Sequence, residues 1–407
     1  MIYKFIVSLM VLSHLLWAGN ALQEAIDKAK PGSKLELPAG IYHGNIIINK
    51  PLIIDGKDQK AIIEGDGKGT VVTVGSSRVT LKNLTIRHSG AEHERVDAGI
   101  SMNKVQQCTV ENCKIVDCLF GIDMAQVTRS EIKGNYIESK PFALGLRGDG
   151  VRLWYSNDNH LSKNHLYKSR DFVVWYSHGN LIEENRGEYG RYSLHFMYTG
   201  KNIVKNNVYK HNSVGIFFMY SQDTVATGNI IENSLGTTGL GIGMKDASNF
   251  VLKDNTIIYC ARGLFIDRSP YEPDTVNIIE GNRIIYNSEG IHFHSLSLHN
   301  KFLDNTFKGN IENVTNDSYN SKVTENLFDG NYWDDYEGFD RNGDGIGDRP
   351  YNYYAYADKI WLLNPNVKFF YGSPVISILN FLAKLAPFSE PVLLLSDKHP
   401  KMYEGQV

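Results

Sequence analysis

Short apolar segments separated by polar bends recur along most of the chain, and an asparagine stands at a fixed place beside each of them. The shared context is apolar–x–x–Asn–x–apolar, and neighbouring asparagines are 21 to 29 residues apart. The asparagines are Asn83, Asn112, Asn135, Asn164, Asn185, Asn207, Asn229, Asn255, Asn282, Asn305 and Asn326. A recurring interval of this length is typical of repeat proteins, in which stacked units share one core.

A second motif runs in step with the first and has the form Gly–apolar–x–apolar–x, as in GISMN, GIDMA, GIFFM and GIHFH, with SLHFM as a variant. Alternation of this kind predicts short β-strands, and helical periodicity is absent from the region. The leucine ladder of a leucine-rich repeat is missing, and the period is too short for a propeller blade. We therefore predict an all-β fold, a right-handed parallel β-helix (solenoid) of roughly ten coils stacked about 4.8 Å apart.

The asparagine column is predicted to be an internal ladder at a tight bend of each coil. Asparagine tolerates the left-handed backbone conformation, and its amide can bond to the next coil. The column is therefore interpreted as structural, and no chemistry is assigned to it.

The N-terminus predicts export. A single Lys precedes an apolar run that is short for a membrane span, and small residues follow it. This pattern is typical of a secretory signal peptide, and we expect cleavage near Ala18 or Ala21. The mature protein should then be soluble outside the cytoplasm.

Four segments follow from these patterns. Residues 1–21 are the signal peptide, and residues 22–330 are the β-helix, whose open end is capped by a short helix at its start. Residues 331–372 form a module rich in Asp and aromatic residues with a calcium-type loop. Residues 373–407 form an amphipathic C-terminal segment with a short helix.

Charge and cysteine content narrow the function classes. A net charge of −3 argues against a nucleic-acid binder that depends on phosphate contacts. The cysteines fit neither a disulfide framework nor a zinc site, so we interpret them as small core thiols. They are Cys108, Cys113, Cys118 and Cys260.

The outward face of the β-helix is unusual for a solvated surface. Positions two and four of the second motif are apolar throughout, so positions three and five should point out of the core. Four of these outward positions carry large rings that we interpret as a partner surface, namely Trp154, Trp175, Phe217 and Phe265. A contiguous apolar stripe marks an interaction surface, and the alternative is that insertions or the C-terminal module simply cover this face.

Histidine and methionine on the same face are copper candidates. His195 and Met197 should project the same way about 7 Å apart, with Met219 one coil further on. Thioether and imidazole groups suit Cu(I), although methionine is also common at adaptable protein interfaces. A second candidate pair, His292 and His294, should lie about four coils away, roughly 19 Å, and so cannot bind the same ion. Metal handling and protein contact both stay open.

The segment FDRNGDGIGDRPY predicts a structural Ca²⁺ site. Oxygen ligands at alternating positions, with a glycine after the third, match the first half of a calcium loop. The candidate ligands are Asp340, Asn342, Asp344, Ile346 and Asp348. Tyr351 stands where a bidentate glutamate is expected, so an ion-free turn is the alternative.

The stretch SPVISILNFLAKLAPFSEP is amphipathic at helical spacing but too short to span a bilayer. Its apolar face carries Ile376, Leu379, Leu382 and Leu385. Packing on the β-helix as a C-terminal cap and contact with a membrane or a membrane-embedded partner are both consistent with it.

An enzymatic function is the alternative, because many extracellular β-helix proteins cleave or epimerise polysaccharides. Such sites need acids and bases on adjacent coils, whereas the outward Asp123, Arg152, Lys245 and Asp267 are scattered. Asp267 with Arg268 and the neighbouring Lys245 is the best catalytic candidate, but Asp267 and Arg268 are more simply a surface ion pair. No catalytic residue is assigned, and a carbohydrate-binding role through the tryptophans remains an alternative.

Several strings together resemble the NosD family, the periplasmic maturation factors of nitrous oxide reductase. They are GDGVRLWYS, RYSLHFMYT, VGIFFMYS, GLGIGMKD, GLFIDRSP, NYWDDYEGFDRNGDGIGDRPY and LAPFSEP, and they occur in the same order. The resemblance implies a non-enzymatic periplasmic protein that works with an inner-membrane ABC transporter and with nitrous oxide reductase. It also implies copper delivery for the copper–sulfur cluster, with Cu(I) bound transiently and a copper-donor chaperone as a further partner. It supplies no specific copper ligands.

Overall fold

The computed structural model describes residues 21–236, 238–317, 325–355, 364–370, 373–385 and 392–404. The predicted signal peptide therefore lies almost wholly outside the described residues. The chain divides into two compact units, Met1–Ser213 and Val214–Val407. It is a right-handed parallel β-solenoid of about 13 turns, which confirms the predicted fold. There are more turns than the expected ten because the coils before Asn83 lack the asparagine motif.

A single helix precedes the first coil, as predicted. Helix α1, Ala21–Lys28, buries Leu22 and Ile26, which are one turn apart on the same face. The Gln23 side chain donates to the Ile47 carbonyl at 3.1 Å and accepts from the Ile47 N–H at 2.7 Å. The helix therefore caps the first coil with both apolar contact and hydrogen bonds to the edge strand Ile46–Ile48, which begins its sheet.

In the first unit three parallel sheets form, one from each side of the coil. The first sheet contains β1 Lys34–Glu36, β4 Ile53–Asp55, β7 Thr80–Lys82, β10 Thr109–Glu111, β13 Glu131–Lys133, β16 His160–Ser162, β19 Leu181–Glu183 and β22 Ile203–Lys205. The second contains β2 Gly40–His43, β5 Ala61–Glu64, β8 Leu84–Arg87, β11 Lys114–Cys118, β14 Tyr136–Ser139, β17 His165–Tyr167, β20 Arg186–Glu188 and β23 Val208–Lys210. The third contains β3 Ile46–Ile48, β6 Val72–Val74, β9 Ala98–Asn103, β12 Phe120–Ala125, β15 Val151–Trp154, β18 Asp171–Trp175 and β21 Tyr192–Met197.

The second unit repeats the arrangement. Its third sheet contains β24 Val214–Met219, β27 Leu240–Lys245, β30 Arg262–Asp267, β33 Glu289–His294 and β36 Glu312–Asn316. Its first sheet contains β25 Val225–Thr227, β28 Val251–Lys253, β31 Asn277–Glu280, β34 Asn300–Leu303 and β37 Leu327–Asp329. Its second contains β26 Ile230–Glu232, β29 Thr256–Ile258, β32 Arg283–Ile285, β35 Thr306–Lys308 and β38 Tyr332–Trp333.

The C-terminal residues add two more strands to the second unit. Strand β40, Val392–Asp397, pairs in parallel with β37, and β39, Tyr351–Ala355, pairs antiparallel with β40. A 3₁₀ helix covers Pro365–Phe370, and helix α2 covers Pro374–Leu385. No helix among the described residues has the length and apolar content needed to cross a membrane.

The third sheet carries the second sequence motif, and its alternation sets the core. Every residue at motif positions two and four, from Ile100 to Phe293, has 2% or less of its surface exposed. The four cysteines are also buried and free, which confirms them as core thiols. Burial raises the pKa of Cys113 and Cys118 to about 12, so these thiols stay protonated and do not act as thiolate ligands.

Buried asparagines form ladders at the corners of the coils. In the first unit Asn135 donates to Asn164 at 2.9 Å, Asn164 to Asn185 at 2.9 Å, and Asn185 to Asn207 at 3.0 Å. In the second unit the same kind of ladder runs through Asn229, Asn255, Asn282, Asn305 and Asn331. It ends at Asp397, whose buried carboxylate accepts from the Asn331 backbone and side chain and from the Trp333 indole.

The ladder differs from the sequence prediction in two ways. Asn83 and Asn112 sit one residue before the buried position, which Leu84 and Cys113 fill in their coils, and Asn326 belongs to a separate ladder with Asn300. The left-handed residue is not the ladder asparagine but the one before it, such as Lys163 at φ 56° and Glu184 at φ 55°. The left-handed residue must precede the ladder asparagine, because the asparagine amide then points inward to a carbonyl of the preceding coil.

Substitution of a ladder asparagine should destabilise the fold. Asn185 donates to the Leu161 carbonyl and to Asn207, and it accepts from the backbone and side chain of Asn164. Asn185→Ala leaves several buried polar groups unpaired, so the free energy of unfolding should fall by about 2–3 kcal/mol. The measurement is urea unfolding followed by circular dichroism.

Asn103→Ala is the matched control, since Asn103 is exposed at the end of β9 and is not one of the left-handed residues. It should change the free energy of unfolding by no more than about 0.5 kcal/mol. Equal losses for the two variants would contradict a specific role for the buried ladder.

Candidate metal centre

The outward positions of the third sheet are less exposed than the sequence predicts. His195 is 8% exposed, Phe217 8% and His292 6%, while Trp154 and Trp175 are half-buried. Side chains on adjacent coils cover one another because parallel pairing places them about 4.8 Å apart. His195 therefore points away from the core, as expected, but it is not exposed to solvent.

In the first unit the outward aromatic residues form one contact group. Trp154 and Trp175 are register partners with ring centroids 5.9 Å apart, and Trp175 meets the His195 ring edge-on at 5.8 Å. Tyr192 stacks on His195 at 4.6 Å. Met197 pairs with Trp175 in register and is half-buried. His195 is thus enclosed by rings.

Burial sets the charge of His195. It lowers the pKa of His195 to about 4, against the opposing pull of the Asp171 carboxylate, which raises it less. The imidazole is therefore neutral at neutral pH, a form that can ligate a metal but that is shielded by Trp175 and Tyr192.

The depressed pKa predicts a loss of stability in acid. An unfolded His has a pKa of about 6.5. Between about pH 6.5 and pH 4 this side chain is therefore mostly protonated in the unfolded chain, whereas His195 in the folded chain stays mostly neutral. Stability therefore falls as the pH falls through this window, by up to about 3 kcal/mol from this residue. Urea unfolding of wild type and His195→Gln at pH 7 and pH 4.5 measures it.

His195→Gln should show a smaller loss between the two pH values than wild type does. The exposed His178 gives the control variant, His178→Gln, which should follow wild type. If all three proteins lose stability equally, His195 is not held in its neutral form by the fold.

A second stack of rings lies at the corner that follows these strands. Tyr176 stacks on Tyr155 at 4.9 Å and on Tyr198 at 5.2 Å, each pair with an interplanar angle of 10°. Both faces of the Tyr176 ring are thereby occupied by neighbouring rings. The middle of this stack offers ring edges rather than a free face to a ligand.

In the second unit, inter-coil ion pairs occupy part of the outward face. Met219 and Lys245 are register partners, and Lys245 pairs with Asp267 one coil further on at 2.6 Å. Arg268 pairs with Asp246 at 2.5 Å. The predicted pairing of Asp267 with Arg268 is wrong, because aligned residues of adjacent coils lie closer than sequence neighbours that point to opposite sides.

The described residues contain one group of three or more His, Cys, Asp or Glu whose ligand atoms all lie within 4.8 Å of one another, namely His292, His294 and Asp317. We call this group the His–His–Asp cluster. Asp317 Oδ2 lies 3.2 Å from His292 Nε2 and 2.7 Å from His294 Nδ1. Both histidines were copper candidates from the sequence.

Backbone register builds the cluster. His292 and His294 are two residues apart on β33 and so project from the same face. Phe293 pairs with Asn316 on β36, which places Asp317 directly after that strand and beside His294. The Phe265 ring stacks on both imidazoles, at 5.4 and 5.9 Å, and fixes their orientation from the preceding coil.

A second set of polar groups holds His292 from behind. Its Nδ1 lies 2.6 Å from Glu289 Oε2, and the carboxylate must accept this hydrogen bond. Thr315 donates to the same oxygen at 3.0 Å, and Arg262 lies 3.2 Å from it. Glu289 is thereby fixed by three partners, and the opposite nitrogen of His292 is the one left facing Asp317.

The charges of the cluster follow from these contacts. Burial lowers the pKa of His292, but the hydrogen bonds to Asp317 and Glu289 outweigh it and raise the pKa overall. Burial raises the pKa of Asp317, and the two histidines reverse this and lower it. Asp317 is therefore ionised at neutral pH and available as an anionic ligand.

Donor spacing is compatible with a bound ion. Two ligands about 2.0–2.1 Å from one metal are about 2.9 Å apart at a right angle and about 3.3 Å apart in a tetrahedron. One distance to Asp317 lies within this range and the other falls just short of it, so small side-chain shifts would suffice. Asp317 is a candidate ligand that was not predicted from the sequence. It lies 23 residues after His294, the same interval that separates Asn282 from Asn305.

The predicted calcium loop is a compact turn. Asp340 accepts from the Gly343 and Gly345 N–H groups at 2.6 and 2.8 Å, and Asp344 Oδ1 accepts from the Ile346 N–H at 2.8 Å. The Gly345 N–H holds the pKa of Asp340 below its usual range. Asp348 Oδ2 accepts from the Arg341 N–H at 3.0 Å. The described carboxylates are thus partnered by the loop's own backbone.

Helix α2 presents apolar residues to solvent. Leu379, Leu382 and Leu385 are exposed, as are Val375, Ile378 and Phe381. Ile376 lies on the same helix.

Comparison with known proteins bears on the whole chain. A family model described as "Periplasmic copper-binding protein (NosD)" matches residues 140–338, and a model of the right-handed β-helix region matches residues 69–186. The chain matches the NosD family. The resemblance inferred from the sequence motifs is confirmed, and the match to NosD contains His195, Met197 and Met219 as well as the His–His–Asp cluster.

Two curated relatives carry the name "Probable ABC transporter binding protein NosD". The one from Pseudomonas aeruginosa is 28% identical over 409 residues, covering 95% of this chain and 93% of the relative. The one from Stutzerimonas stutzeri is 26% identical over 390 residues, covering 91% and 87%. Both NosD relatives are named as binding proteins rather than as enzymes.

Solved structures are similar in fold alone. The catalytic domain of a GH87 α-1,3-glucanase bound to nigerose superposes with a TM-score of 0.57 at 18% identity, covering 75% of this chain and 66% of that one. The A-module of the mannuronan C-5 epimerase AlgE6 from Azotobacter vinelandii gives 0.54 at 14%, covering 75% and 93%. At this identity the NosD match, and not these enzymes, bears on function.

Proposed function

We propose that the chain is a periplasmic copper-binding accessory protein that acts with an inner-membrane ABC transporter in the maturation of nitrous oxide reductase. The observation that carries the proposal is the His–His–Asp cluster, which lies within the residues matched by the copper-binding family model. The family description supports the metal and the compartment, and the names of the relatives support the transporter. The reductase as recipient rests on the motif resemblance.

The exposure of the cluster suits a protein that passes its metal on. The His292 side chain is almost fully buried, whereas those of His294 and Asp317 are 46% and 38% exposed. One ligand is therefore anchored in the fold, while the other two can be reached by a donor or an acceptor of the ion. A copper-donor chaperone and the reductase are the proposed exchange partners.

His195, Met197 and Met219 remain proposed copper ligands on weaker support. The neutral His195 imidazole has the form that a metal needs, but rings enclose it, and the two methionines are half-buried. Trp154 and Trp175 with Phe217 and Phe265 are proposed as the surface that receives a protein partner.

A structural Ca²⁺ at the loop that begins with Asp340 also remains a proposal. The pre-formed turn supports it, because the carboxylates of Asp340, Asp344 and Asp348 lie within nine residues and each is held by a backbone N–H group of the turn.

A polysaccharide-processing role has less support. The buried acids Asp123, Asp149 and Asp171 are each bound to an arginine, Arg152, Arg170 and Arg191 respectively. An acid enclosed in this way is poorly placed to reach a sugar. A non-enzymatic role is therefore proposed.

Removal of a cluster ligand should weaken copper binding. His294→Ala deletes one donor, and Asp317→Asn replaces the anionic carboxylate with a weaker neutral oxygen donor. For each variant the affinity for Cu²⁺ should fall at least about tenfold, in line with the loss of one good metal–ligand interaction. The measurement is titration of the purified mature protein with Cu²⁺, with bound metal quantified after desalting.

His299→Ala is the matched control, because His299 is exposed five residues beyond His294. It should bind copper as wild type does. Unchanged copper affinity in both cluster variants would contradict the assignment of the site.

Helix α2 should mediate contact with the transporter, since its apolar face is exposed. Deleting residues 374–407 would also remove Asp397 and β40, which complete the core at the end of the β-helix. The sharper change is therefore Leu379→Ser with Leu382→Ser and Leu385→Ser. This variant should lose co-purification with the transporter and keep the wild-type melting temperature.

The exposed Leu296 provides a control, Leu296→Ser, which should retain the transporter. If the triple variant still co-purifies, α2 does not form the contact.

A further inference from the structure

The chemistry of the donors at the His–His–Asp cluster decides which form of copper it suits. Two imidazole nitrogens and one carboxylate oxygen meet there. Mixed nitrogen and oxygen donors favour Cu²⁺ and similar divalent ions, whereas Cu⁺ prefers thiolates and thioethers. Met219 is the methionine on the outward column of this unit, and it lies three coils before His294, about 14 Å away. It cannot bind the same ion.

The net charge around the His–His–Asp cluster also favours a divalent ion. A bound metal displaces any proton from the ligating nitrogens, and Glu289 and Asp317 then contribute two negative charges and Arg262 one positive charge, 3.2 Å from Glu289. The group thus has an excess negative charge next to the ligand atoms, and it attracts a dication more strongly than a monocation.

Glu289 has the geometry of a group that aims a ligand. It accepts from His292 Nδ1 at 2.6 Å, so His292 must offer Nε2 to an ion. Metal-binding histidines commonly donate their second N–H to such a carboxylate, which fixes the ring and increases its basicity. Thr315 and Arg262 hold the Glu289 oxygen in turn.

From these observations we infer that the cluster takes a divalent ion of the Cu²⁺ and Zn²⁺ class rather than Cu⁺, and that Glu289 is the positioning residue that presents His292 Nε2 to it. This inference rests on the proposed function and replaces the transient Cu(I) expected from the sequence, as far as this cluster is concerned.

The first experiment compares oxidation states. Cu²⁺, Zn²⁺ and, under anaerobic conditions with a chelating competitor, Cu⁺ are titrated into wild-type protein and Asp317→Asn. Asp317→Asn should weaken Cu²⁺ and Zn²⁺ binding at least tenfold and change Cu⁺ binding less than threefold. An equal loss for Cu⁺ overturns the divalent assignment. A wild-type protein that binds copper in neither state overturns the proposed function itself.

The second experiment is a double-mutant cycle with Cu²⁺ as the probe. Glu289→Ala should weaken binding about 10- to 100-fold when His292 is present, and less than threefold in a His292→Ala background, because Glu289 then has no ligand to position. An equal loss in both backgrounds means that Glu289 acts as a ligand or as a charge, which overturns the positioning role. No loss in either background also overturns it.

Controls keep the cycle interpretable. Glu280→Ala removes a glutamate that pairs with Lys253 elsewhere in the unit and should leave Cu²⁺ affinity unchanged. Thr315→Val removes a hydroxyl that lies 3.0 Å from both Glu289 Oε2 and His292 Nδ1 and leaves the ligating Nε2 in place. It should weaken binding by a smaller factor than Glu289→Ala, and it tests the positioning role if Glu289→Ala does not fold. Electron paramagnetic resonance of bound Cu²⁺ should show two coordinated nitrogens in wild type and one in His292→Ala. An unchanged His292→Ala spectrum contradicts ligation by His292.

Discussion

In-register parallel pairing between successive coils is the constraint on which the rest of the structure depends. Each residue of a coil lies beside an aligned residue about 4.8 Å away, so chemistry accumulates in columns rather than along the sequence. Phe265, His292 and Thr315 are aligned in one such column. Asp317 follows the same register beside His294. A cluster of ligand atoms within 4.8 Å thus arises from residues up to 25 positions apart.

The register itself is held by polar groups inside the core. A buried amide costs free energy unless its hydrogen bonds are satisfied, and each ladder asparagine is satisfied by its counterpart in the adjacent coil. A slip of one residue would place these amides against apolar side chains and expose the apolar ones. Because the His–His–Asp cluster depends on the same alignment, the interior asparagines and the outward histidines are coupled through the register although they do not touch.

The sequence correctly predicts the features of the fold that follow from the repeat period alone. Two-residue alternation identifies the core positions of the third sheet correctly, and the recurring asparagine identifies the coil. It does not show which side chains cover one another, so the burial of His195 between Trp175 and Tyr192 was missed, and Arg268 was paired with Asp267 although it contacts Asp246. Asp317 was overlooked because its coil, ENVTND, has Asn313 in place of the motif glycine and Asn316 in place of an apolar residue.

Asp397, at the end of the asparagine ladder, affects whether further strands can add to the end of the β-solenoid. An asparagine side chain both accepts and donates, so every amide in the ladder offers an N–H group to one neighbour and an oxygen to another. Asp397 has only oxygens to offer, and Asn331 and Trp333 already donate to its buried Oδ2 atom. Strand β39, antiparallel to β40, then covers the outer edge of the sheet. The covered edge thereby prevents another copy of the chain from adding end to end. An open parallel edge would allow such addition in a protein built from repeating strands.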